Sequence, residues 1–172
     1  MLRALTLALF ALALAAPLAP TRAEDEASSA KQLAEGLAVY KKANCVGCHK
    51  WHGDGGGGYG GAALSLRKTE LSRAQIVETV KCGRPGVGMP FHLRDAYDDE
   101  AKPCYGLSRA ELTASGQMPP TATGFLRQPE IDAVADYVLA NIKGKGEVNM
   151  ADCEAYFGQN NRQCSQYAKS AQ

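Results

Sequence analysis

Aromatic residues are scarce, at 7% with a single Trp51, and neither sign of charge dominates, with 19 Lys and Arg against 18 Asp and Glu. That balance argues against a nucleic-acid binder, which normally shows a basic excess. Beyond the N-terminal region no run stays apolar for the roughly 18 residues that a membrane helix needs. Signatures of catalysis are absent as well. The chain has three histidines and no Ser/His/acid arrangement, and its glycine-rich run lacks the Lys-Ser/Thr pair of a phosphate loop.

The N-terminus is different. Met1 to Ala23 carries Arg3, a mostly apolar run from Ala4 to Ala16, and Thr21-Arg22-Ala23 as a cleavage site. This is the order of a secretory signal peptide, and its apolar run is too short to span a bilayer. Cleavage after Ala23 leaves 149 residues with 17 basic against 18 acidic side chains. That length suits one domain with a real core, expected to be a monomer with no membrane span. Its boundaries are expected at residues 24–149, with a C-terminal extension over residues 150–172.

Six cysteines in an exported chain require an explanation, because exported thiols are normally oxidised or ligated. Cys45-Val46-Gly47-Cys48-His49 is C-x-x-C-H, the attachment motif for c-type haem. The spacing suits the chemistry: two thiols add to the vinyl groups along one porphyrin edge, and the adjacent imidazole reaches the iron. The absence of a second C-x-x-C weakens the zinc and dithiol readings. One covalent haem c is expected.

Around this motif the chain resembles a class I cytochrome c, over roughly Ala30 to Gly144 apart from one insertion. The resemblance implies an all-α fold wrapped around the haem. The residues agree with it in detail. From Ser29 to Ala43, Leu33, Leu37 and Tyr40 recur at helical spacing, as for one buried stripe. Gly53 to Gly61 holds seven glycines around Asp54 and Tyr59 and reads as loop. Ser72-Arg73-Ala74-Gln75 is a capping box opening a helix with Ile76, Val77 and Val80 inward, which Gly83 stops. Pro129 stands near the start of a helix over Glu130–Lys143, with Ile131, Val134, Val138 and Ile142 on one face, Tyr137 beside them and Gly144 after.

A second axial ligand is open to Met, His or Lys, and a Met partner raises the potential relative to a second His. Gly83-Arg84-Pro85-Gly86-Val87-Gly88-Met89-Pro90 looks like the G-R-P-x-x-x-M-P ligand loop of many small bacterial cytochromes c, which favours Met89. Its rival is Met118 in Gly116-Gln117-Met118-Pro119-Pro120, 19 residues before Tyr137. His52 and His92 are weaker choices, read otherwise as partly exposed loop residues. Met1 and Met150 lie in the leader and the tail.

With Met89 as ligand, Phe91 to Gly124 becomes an insertion. Ser108-Arg109-Ala110-Glu111 predicts a short helix there, from Arg109 to about Ser115. Asp95 to Lys102 reads as a solvated charged loop. Asp95, Asp98, Asp99 and Glu100 lack the register of a calcium site. Cys82, Cys104, Cys153 and Cys164 allow three pairings, and sequence proximity favours Cys82–Cys104 and Cys153–Cys164. The first would clamp the insertion to the middle helix. The second would close a helical hairpin in the tail with its turn at Gly158 to Asn161, and the tail aromatics Tyr156, Phe157 and Tyr167 are expected to pack back on the domain.

The expected function is a periplasmic electron carrier and not an enzyme. Its donor would be a periplasmic dehydrogenase and its acceptor an oxidase or another cytochrome. The ligand loop and extra cysteines resemble carriers associated with quinoprotein alcohol or methanol dehydrogenases. Alternatives are a cytochrome subunit bound tightly in a dehydrogenase complex, or a haem peroxidase or gas sensor, which would need an open sixth position. For partner docking the expected apolar centre is Val46, Val87 and Phe91, with Arg94, Asp95, Asp98, Asp99 and Glu100 as the charged rim.

Overall fold

A computed structural model describes residues 22–56, 63–98 and 104–171. Residues 1–21 of the expected leader, Tyr59 with most of the glycine run, and Asp99 and Glu100 lie outside the described residues. Among those described, six α-helices and a terminal 3-10 segment occur, and the only β pairing is an isolated parallel bridge between Phe91 and Thr121. The helices are α1 (Arg22–Lys42), α2 (Cys45–His49), α3 (Arg73–Cys82), α4 (Arg109–Ala114), α5 (Gln128–Asn141) and α6 (Met150–Phe157), followed by the 3-10 segment Arg162–Ala171.

The frame is the packing of α1 and α3 on α5. Its closest point is Gly36: a Cβ there would run into the Ala133 carbonyl and the Tyr137 Cβ across the crossing. This approach shifts the buried line of α1 to Gly36, Val39 and Tyr40. The predicted stripe is corrected accordingly, since Leu33 and Leu37 are only half-buried. Helix α1 also starts earlier than its periodicity suggested, because its first turns are rich in Ala and Glu, which favour helix without needing a core. On α5, Ile131, Val134, Tyr137 and Val138 are buried as expected, and Ile142 caps the helix while remaining 1% exposed. Helix α3 opens on its capping box, with Ser72 N–H donating to Gln75 Oε1 at 2.8 Å, and stops at Gly83 with φ 66°. Arg73 Nε donates to Asp136 Oδ1 at 2.5 Å and ties α3 to α5.

A second core gathers the insertion. Cys82, Phe91, Ala96, Tyr97, Cys104 and Leu112 are buried together, with Met118 and Phe125 packed against them. Helix α4 forms where its capping box placed it, with Glu111 N–H donating to Ser108 Oγ at 3.2 Å. Both favoured disulfides, Cys82–Cys104 and Cys153–Cys164, are present. The reading of the Asp95–Lys102 run as a solvated loop needs correction over its described part: Ala96 and Tyr97 are core residues, while their charged neighbours Asp95 and Asp98 face solvent.

The tail turns at Gly158 and returns as the 3-10 segment. Its aromatics close on Trp51, two residues after the C-x-x-C-H motif, with ring centroids at 5.8 Å to Tyr156, 5.2 Å to Phe157 and 5.9 Å to Tyr167. Buried Arg67 fastens the approach to the tail. It donates to the carbonyls of Gly146 (2.6 Å) and Glu147 (3.2 Å), and pairs with Asp152 at 3.0 Å. Each of those bonds satisfies a donor that burial would otherwise leave costly.

Candidate functional site

Helix α1 ends at Lys42, and the chain reverses through Asn44, which adopts the left-handed conformation at φ 56°. Asn tolerates this region better than other non-glycine residues because its short polar side chain bonds locally. Gly47 N–H then donates to Asn44 O at 3.0 Å, and Lys50 N–H to Val46 O at 2.9 Å, closing one helical turn. Three-residue spacing on that turn brings the Cys45 and Cys48 side chains to neighbouring positions. Gly47 between them leaves room for the Asn44 side chain, whose amide would have to shift if a Cβ came within 2.8 Å of it.

These two thiols stand apart from the other four. All of Cys82, Cys104, Cys153 and Cys164 are in disulfides, while Cys45 and Cys48 are free. Burial pushes the Cys45 thiol up to about 12. The uncoordinated thiol is therefore neutral.

His49 completes the motif, and its Nδ1 lies 3.0 Å from the Leu64 carbonyl oxygen. A carbonyl only accepts, so Nδ1 carries the proton and the lone pair sits on Nε2. Burial also lowers the His49 pKa, against the opposing pull of that hydrogen bond, which favours the neutral ring. Fixing one imidazole nitrogen by a backbone carbonyl is how metal-binding histidines are commonly oriented. Sequence reasoning missed Leu64, because a backbone carbonyl leaves no trace in side-chain identity.

The other predicted residues fall as follows. Met89 and Met118 are both half-buried, and their loops, read as rivals from sequence, run side by side. Gly86 N–H donates to Gln117 O at 2.9 Å, and Phe91 N–H to Pro120 O at 3.0 Å. His52 is engaged by Asp54, Nδ1 to Oδ2 at 3.2 Å, and stands edge-on to Trp51. His92 is not the partly exposed residue expected: it is 5% exposed and its Nδ1 has no partner among the described residues. The expected docking centre also changes. Phe91 is 2% exposed, held between Tyr97 and Phe125 in the second core, and so offers no surface. Val46 is half-buried against the main core, whereas Val87 is exposed, as is Leu64, which the sequence did not single out. Of the rim, Arg94 lies over the Phe125 ring and Asp98 pairs with Arg109 at 3.1 Å.

Residues 31–103, less than half of the chain, match the family model of the cytochrome c oxidase, cbb3-type, subunit III. The match supports a c-type cytochrome. No curated protein and no solved structure matches the chain. A cytochrome c domain implies covalently bound haem c and partners with which electrons are exchanged. The donor set fits that group: two free thiols one turn apart and an imidazole whose Nδ1 is held by the Leu64 carbonyl, leaving its lone pair on Nε2, with half-buried Val46 and Trp51 next to them in the chain. Among the described residues no helix is long and apolar enough to cross a membrane.

Proposed function

We propose that this protein is a one-electron carrier of the periplasm, exported by the leader at residues 1–23. It would hold one haem c through Cys45 and Cys48, with His49 and Met89 as axial ligands. The observation that carries this reading is the pair of cysteines left out of both disulfides, next to an imidazole fixed at Nδ1 by the Leu64 carbonyl. When bound, the iron porphyrin supplies the reversible one-electron couple. The chain supplies orientation and a dry setting. Leu64 fixes the His49 ring, and the main core excludes water behind Cys45.

Two observations support Met89 over Met118. The family match contains Met89 and ends before Met118. Met118 is also already packed against the apolar second core, a bland use for a thioether. By resemblance, electrons enter from a periplasmic dehydrogenase, with an alcohol- or methanol-oxidising quinoprotein as the favoured donor. They leave to an oxidase or another cytochrome. A second reading, a subunit held within a larger redox complex, is favoured because the matching family model describes an oxidase subunit.

The ligand assignment is tested by absorbance. The oxidised protein is expected to show the weak far-red sulfur-to-iron band of the family, and the reduced protein to resist carbon monoxide. Met89→Ala removes the band and lowers the potential, whereas Met118→Ala leaves the band in place. The reverse pattern would move the ligand to Met118. Ready binding of carbon monoxide by the unmodified protein would favour a sensor or peroxidase instead.

A further inference from the structure

The end of α3 leads directly into the Met89 loop, and the last carbonyls of a helix have no partner within it. Here those of Val80, Lys81 and Cys82 are satisfied by chain that follows Met89. His92 N–H donates to the carbonyls of Val80 and Lys81 (both 3.2 Å), and Leu93 N–H to Lys81 O at 3.1 Å. The next two carbonyls are taken by side chains of the insertion. Tyr97 donates its hydroxyl to Cys82 O at 2.7 Å, and Tyr105 donates to Gly83 O at 2.7 Å. The Cys82–Cys104 disulfide ties the same junction from between them.

The loop is also closed on itself. Arg84 N–H donates to Met89 O at 3.2 Å, and Gly83 lies so close to the returning chain that a Cβ would meet Met89 O and Phe91 N at 2.7 Å. Tyr105 occupies the left-handed region at φ 55°, where a bulky side chain is rarely found. An unfavourable backbone of this kind persists when surrounding contacts over-determine it, and often where function needs the geometry.

We propose that Tyr97 and Tyr105 are positioning residues that hold the Met89 loop in its ligating conformation, by bonding the two carbonyls at the hinge where that loop leaves α3. This rests on the reading of Met89 as sixth ligand. The insertion is then a clamp on the ligand loop as well as a surface ornament. Burial pushes Tyr97 up to about 12 and also raises Tyr105, so both hydroxyls remain protonated donors across the working range.

Exogenous imidazole reaches the sixth position only when Met89 leaves it, so its apparent affinity scales with the fraction of loop that is open. In the haem-loaded protein, Tyr97→Phe and Tyr105→Phe are each expected to tighten apparent imidazole binding about fivefold, the equivalent of one net hydrogen bond. The helical circular dichroism of both variants should match that of the unmodified protein. Tyr105 is 38% exposed, so its substitution decides the matter even if Tyr97→Phe disturbs the second core. Unchanged imidazole affinity in Tyr105→Phe, alongside an intact far-red band that Met89→Ala abolishes, would overturn the clamp while leaving the ligand reading in place. If Met89→Ala and the unmodified protein bind imidazole equally well, the ligand reading fails and the clamp fails with it.

Discussion

Glu130 illustrates how a single carboxylate can both cap its own helix and tie it to a second. It is buried at the start of α5, accepts from Lys42 Nζ of α1 at 2.5 Å, and accepts from the Arg127 backbone at 2.9 Å and Nε at 3.1 Å. The Lys42 bond, followed by the Arg127 backbone, pulls its pKa from 4.5 down to about 2. A depressed carboxylate stabilises the fold above its unfolded pKa, and that contribution is lost as pH falls through the folded value. Glu130→Gln is therefore expected to be less stable than the unmodified protein at neutral pH. The gap should narrow between pH 4.5 and about 2, followed as urea midpoints against pH. A gap of constant size across that window would show that Glu130 contributes shape alone.

Among the elements, the crossing of α1 and α5 sets the frame, and Gly36 is its tightest point. Alanine normally favours a helix interior over glycine by about 1 kcal/mol. At Gly36 the sign should reverse, because the new methyl meets backbone of α5 that cannot swing aside. Overpacking of this kind typically costs about 1–3 kcal/mol, so Gly36→Ala should lower the thermal midpoint rather than raise it. The same residue marks where sequence reasoning runs out. The capping boxes at Ser72 and Ser108 were legible because each is closed within four residues, and so was the arrest of α3 at Gly83. The buried line of α1 was not, since it depends on what α5 presents across space. Phe91 and His92 were misread for a related reason. The burial of Phe91, with His92 next to it, goes with a second core that the Cys82–Cys104 link joins, and nothing in a loop-like stretch of sequence announces a core.

At the scale of the whole molecule, the C-x-x-C-H motif and the order of the longer helices were readable from spacing, and sequence proximity favoured the two disulfides present among three possible pairings. The tail was not: its aromatics could be counted in the sequence, but their target, Trp51, emerges only once Arg67 brings residues 146, 147 and 152 to the main domain. The Leu64 carbonyl on His49 was equally hidden, being a backbone contact across the glycine-rich run. All of these features surround one central claim, that Cys45 and Cys48 carry a haem bound covalently to the chain. Mass spectrometry of the denatured protein, purified from cells able to mature c-type cytochromes, tests it most directly. The account predicts a polypeptide heavier by one haem, and no such addition when Cys45 and Cys48 are both replaced by alanine. An unmodified polypeptide mass, with pigment released on denaturation, would contradict it.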